Sequence, residues 1–102
     1  NVIEKSYSST IEVDLPHKPG VLGHITSLIG LNKGNIVNLE IIKRSKEHLT
    51  FSFDLQIKDL KNFTNLISQI KQKWRVLYQK KTTTLLTNQV GLKIPQIVFF
   101  LD

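Results

Sequence analysis

No cysteine occurs in the 102 residues. Disulfide staples, thiolate zinc sites and a thiol nucleophile are thereby excluded, and a hydrophobic core must hold the fold unaided. Long apolar runs are missing too. No stretch approaches the ~20 residues that span a bilayer, and Asn1-Val2-Ile3-Glu4-Lys5 lacks the basic-then-apolar pattern of a signal peptide. A cytoplasmic location is the expectation. An opening Asn in place of Met is compatible with a piece of a longer protein. Acidic residues are scarce, 8 against 14 Lys and Arg, for a formal charge of +6. The cations are scattered from Lys5 to Lys93 with only short pairs, Lys43-Arg44 and Lys80-Lys81, which reads as a solvated basic surface rather than a nucleic-acid site. P-loop, GxGxxG and nucleophile-elbow motifs are absent, as is a workable Ser-His-Asp set, so an independent catalytic activity is not expected.

What is present is periodicity. The apolar share of 40% and charged share of 22% are those of an ordinary soluble domain, and the length suits one core plus a tail. Ile11, Val13 and Leu15 alternate with Thr10, Glu12 and Asp14, the period of a half-buried strand over Ser9 to Leu15. Pro16 to Gly20 breaks it. Val21, Leu22, Ile25, Leu28 and Ile29 then predict a helix starting near Pro19, with Gly34 at the expected left-handed cap. From Asn35 to about Arg44 a second strand puts Val37, Leu39 and Ile41 on one face and leaves Ile36 and Ile42 exposed on the other. After the polar Ser45-Lys46-Glu47-His48 link, Leu49, Phe51, Phe53, Leu55 and Ile57 make the clearest strand. Asp59 caps a second helix whose Leu60, Phe63, Leu66, Ile67 and Ile70 recur at helical steps to the cationic end at Lys71 and Lys73. Arg75 to Gln79 is a last short strand.

The order βαββαβ predicts an α+β, ferredoxin-like sandwich: an antiparallel sheet with two helices on one face. Residues 1–8 read as an N-terminal extension and 9–80 as the domain. Residues 81–102 read as a tail or an additional edge strand, in which Ile97 to Leu101 could add to a sheet edge here or in a second copy. The open sheet face would carry Thr10, Glu12, Asp14, Asn38, Glu40, Thr50, Ser52, Asp54 and Gln56. RNA-recognition motifs share this topology but stack bases on exposed aromatics, whereas Phe51 and Phe53 fall on the core face. Acylphosphatases share it too but need an arginine in the first loop, and Leu15 to Gly20 contains none.

The informative segment is His17-Lys18-Pro19-Gly20-Val21-Leu22, together with Gly34-Asn35-Ile36. Pro-Gly and two apolar residues opening a helix, followed by Asn-Ile on a βαββαβ frame, resembles the ACT domain family over residues 9–80. Gly34-Asn35-Ile36-Val37-Asn38-Leu39, Lys43-Arg44, Phe53-Asp54-Leu55 and Lys58-Asp59-Leu60-Lys61 look more particularly like the ACT domain ending the RelA/SpoT (p)ppGpp synthetases and hydrolases of alphaproteobacterial type, GTP pyrophosphokinases of the stringent response. The resemblance implies a regulatory, non-catalytic domain without a cofactor. It implies ligand contacts at His17, Lys18, Pro19, Gly20, Val21, Leu22, Asn35 and Ile36, commonly to an amino acid and often between two copies, so a homodimer is expected. The alternative it leaves open is a docking module that touches the ribosome or the catalytic domains of a parent enzyme.

The chemistry of the loop is compatible with that. Gly20 allows close approach of a ligand to the backbone, and the first free N–H groups of a helix, made positive by its dipole, suit a carboxylate. A Pro-Gly pair alone equally reads as a turn into the helix. His17 stands where the family often has Asp or Asn; a neutral imidazole accepts a hydrogen bond, whereas a protonated one repels an ammonium group. His17 also reads as an exposed loop residue, Asn35 as turn chemistry and Trp74 as a cap on the core. His17, His24 and His48 do not have the spacing of a metal-ligand set.

Overall fold

A computed structural model describes residues 3–87 and 92–99, with side chains over residues 7–80. The elements are β1 (Ile3–Pro16), α1 (Val21–Leu31), β2 (Asn35–Arg44), β3 (His48–Ile57), α2 (Leu60–Lys71), β4 (Arg75–Thr87) and β5 (Leu92–Phe99). They form one sheet in the order β2-β3-β1-β4-β5, antiparallel at every junction. The first four strands and two helices are the expected βαββαβ unit.

Alternation along β1 and β3 explains the layering. Ile11, Val13 and Leu15 pair with Phe53, Phe51 and Leu49, and all six are buried under α1 and α2. α1 contributes Ile25 and Ile29, and α2 contributes Phe63, Leu66, Ile67 and Ile70, each at the three- and four-residue steps that put them on one stripe. Trp74 and Val76 pack against this core from the α2–β4 side. Asn32, itself buried, donates through Nδ2 to Leu28 O and to Gln69 Oε1, both at 2.8 Å, which ties the end of α1 to α2. Asp59 caps α2 as expected, accepting from Lys61 N at 2.9 Å.

On the other face, Thr10 pairs with Asp54, Glu12 with Ser52 and Asp14 with Thr50, while Asn38 and Glu40 lie across from Asp54 and Ser52. The polar face is therefore where the alternation puts it. Thr50 and Ser52 are nonetheless buried on it.

Four local expectations are revised. α1 begins at Val21 rather than near Pro19, because Gly20 takes φ 85° and ψ −12°, outside the helical region. The left-handed residue after α1 is Lys33, φ 61°, rather than Gly34. Lys33 N donates to Gly30 O and Gly34 N to Ile29 O, both at 2.9 Å, the double bond of a Schellman-type end. Gly34 is required for a different reason: a Cβ there would lie 3.0 Å from Ile29 Cγ2 and 3.3 Å from Ile57 Cγ1. In β2 the apolar set is Ile36, Leu39 and Ile41, across from Leu55, Phe53 and Phe51. The register shifts around Val37 and Ile42, so bulges replace simple alternation and Ile36 belongs to the helix side.

β1 and β4 run further than their apolar alternation indicates, pairing from Ile3↔Thr87 to Asp14↔Arg75. β5 then adds to β4 within the same chain, from Lys80↔Phe99 to Thr87↔Leu92. Residues 100–102, including Leu101 of the β-prone tail, lie outside the described residues. These long strands draw the chain out to 52 × 23 × 21 Å. Among the described residues no helix is long and apolar enough to cross a membrane.

Candidate ligand-binding site

The loop from β1 to α1 is held from both sides. His17 N donates to Glu47 O at 2.8 Å, fastening the loop to the β2–β3 turn, and Lys18 N donates to Pro16 O at 3.0 Å. Gly20 is the N-cap of α1 in the left-handed region, a conformation that costs an L side chain ~1–2 kcal/mol. Nothing lies within 4 Å of where a Cβ would stand at Gly20, so the space beside it is open. The loop thus reserves both a backbone shape and room.

A glycine cap has no side chain to satisfy the first helical donors. Val21 N reaches Lys18 O only at 3.4 Å, His24 N closes the first turn on Gly20 O at 2.9 Å, and no side chain caps the helix. Leu22 and Gly23 N–H point out of the helix start with the positive end of its dipole. His17, Lys18, Pro19 and Gly20 are exposed, Val21 is half-buried against the core and Leu22 is 38% exposed. The arrangement offers an anion two N–H donors, a nearby lysine and an apolar wall.

Asn35 and Ile36 are not part of that cluster within one chain. Asn35 pairs with Gln56 of β3, whereas Pro16, just before the loop, pairs with His48 of the same strand. Eight residues of β3 separate those rows, about 26 Å at ~3.3 Å per residue. α1, 11 residues and about 16 Å long, runs between the two ends. Ile36 is 39% exposed at the sheet edge.

Sequence reasoning missed Glu47, whose carbonyl holds the loop at His17, and the contact of His24 with Trp74. Both join segments far apart in the chain and leave no local signal. No group of three or more His, Asp or Glu residues that could hold a metal occurs among the described residues.

A four-stranded βαββαβ unit with a glycine-turned loop feeding an uncapped helix defines a small domain of the ferredoxin-like fold. The ACT domain pattern fits residues 4–77. The chain belongs to the ACT domain family. It is 27% identical over 79 residues to the GTP pyrophosphokinases rsh of Brucella ovis and Brucella melitensis, alphaproteobacteria, as the motif resemblance anticipated. That match covers 78% of this chain but 10% of the relatives, so the chain spans about a tenth of their length. The crystal structure of the ACT domain from the GTP pyrophosphokinase of Chlorobium tepidum superposes with a TM-score of 0.57 at 17% identity, covering 74% of this chain and 97% of that one. Its solution structure gives 0.53, covering 85% of that chain. These two likenesses establish the fold.

Proposed function

We propose that this ACT domain is the regulatory module of a GTP pyrophosphokinase-type protein acting in (p)ppGpp synthesis or hydrolysis, and that it senses an amino acid at a site completed by a second copy. The supporting observation is the separation of the two motif halves. His17–Leu22 and Asn35–Ile36 stand at opposite ends of β2 and α1, too far apart for one amino acid to touch both in a single chain. An antiparallel pairing of two β2 edges turns one copy end over end, so that Asn35 and Ile36 of one come beside the loop of the other.

The chemistry follows from the loop. The carboxylate takes the N–H groups of Leu22 and Gly23 with Lys18 nearby, Val21, Leu22 and Ile36 of the second copy receive the side chain, and His17 faces the ammonium group. The apolar wall favours valine, leucine or isoleucine. Ligand held between copies stabilises the dimer by mass action and passes that state to the catalytic domains of the parent protein.

The test is a ¹⁵N–¹H correlation spectrum titrated with the three amino acids. Saturable shifts at Gly20, Val21, Leu22 and Asn35, with slower tumbling, are expected. No shifts at millimolar ligand would sink the sensor and leave docking to a ribosome or to the parent's catalytic domains as the better reading.

A further inference from the structure

We infer that the second copy pairs with β2 in one particular register, selected by Glu40 and Lys43, with Ile41 and Ile42 on the two-fold axis. The inference rests on the dimeric site proposed above and adds the residues that align it. β2 is one edge of the sheet and all ten of its residues are exposed. The opposite edge, β5, carries Pro95, which has no N–H to offer a further strand. β2 contains no proline and presents Leu39, Ile41 and Ile42 at 38, 38 and 46% exposure.

Charge decides how two such edges meet. Copies carrying +6 repel unless the contact is neutral or complementary. Glu40 lies across from Ser52 and Lys43 across from Thr50, both on the polar face of the sheet, and between them the bulged pair Ile41-Ile42 occupies the single place opposite Phe51. Glu40 is therefore one step before that place and Lys43 one step after it. A two-fold axis through Ile41-Ile42 sets Glu40 of each copy across from Lys43 of the other, giving two ion pairs. Moving the axis one step either way sets Glu40 against Glu40 or Lys43 against Lys43. Among the described residues neither side chain has a partner within the chain that would compete.

The same register serves the ligand site. Ser45 N bonds His48 O, so the β2 row continues to the His48 row, which is also that of Pro16. Counting each bulged pair as one place, Asn35 of the second copy falls two places beyond the His48 row, level with the loop His17–Gly20.

Sedimentation equilibrium at low salt with millimolar valine tests this with E40K, K43E, the E40K/K43E double variant and an equimolar mixture of the two single variants. Circular dichroism controls for folding. Each single variant should dimerise about tenfold more weakly. The double variant should recover, and the mixture should form heterodimers tighter than either homodimer. A dimer indifferent to charge at both positions overturns the register and leaves the dimeric sensor standing. A wild type that stays monomeric at every concentration overturns both.

Discussion

The imidazole of His24 stands edge-on to the indole of Trp74, with ring centroids 5.2 Å apart and planes at 82°. His24 lies one turn into α1, and Trp74 closes the turn that α2 leaves, its backbone N–H donating to Ile70 O at 2.9 Å. The contact joins the helix that starts at the candidate site to the far side of the core. Edge-to-face aromatic pairs contribute ~0.5–1.5 kcal/mol. His24→Ala should therefore cost about 0.5–1 kcal/mol in urea unfolding and move the emission of Trp74, the one tryptophan of the chain, to the red. An unchanged spectrum would count against the pair.

The two glycines around α1 should respond differently to the same replacements. Gly20 needs its left-handed φ but has open space, so Gly20→Asn, a residue that tolerates this region, should be milder than Gly20→Ala, which should cost ~1–2 kcal/mol. Gly34 has an ordinary φ and no space beside Ile29 and Ile57, so Asn there should be worse than Ala. Thermal melts of the four variants check both orders, and a common ranking at the two sites would refute the distinction.

Asp54 gathers donors from both neighbouring strands: Thr10 Oγ1 at 2.7 Å and Asn38 Nδ2 at 3.4 Å. Thr10→Val keeps the shape and leaves the carboxylate short of its closer donor, with an expected loss of about 1–2 kcal/mol. Asn38→Ala removes a longer, exposed bond and should stay within about 0.5 kcal/mol. Chemical denaturation of both variants decides whether that difference holds.

Ser9 offers the opposite case. Its hydroxyl is buried on β1 across from Leu55 and finds no hydrogen-bond partner among the described residues. Because an unpaired buried hydroxyl costs ~1–3 kcal/mol, Ser9→Ala should be neutral or stabilising by up to about 1 kcal/mol. A clear drop in melting temperature would mean that the hydroxyl is satisfied in solution.

Most of the fold was legible because core and period coincide. β3 alternates without a break and α2 repeats at helical steps, so burial alone requires the faces that Phe53 and Leu66 take. Alternation misleads in β2, where it bulges: Val37 sits at the first bulge, and nothing in Asn35–Arg44 announces one. The reach of β1 back to Ile3 and of β4 on to Thr87 was hidden because those ends gain order from a partner strand rather than from an apolar pattern of their own. At the site, Pro19-Gly20 and Asn35-Ile36 were readable as motifs, whereas their separation was not.

The sequence by itself determined the βαββαβ order of the first six elements, the helix-covered face and the loop whose glycine turns into α1, since these follow from local periodicity and backbone preference. Only the tertiary structure decided that His17–Leu22 and Asn35–Ile36 stand at opposite ends of one sheet, that β5 closes the β4 edge and that β2 is left bare. Strand order and register are set by contacts between residues remote in the chain. No local spacing encodes which edge is left without a neighbour.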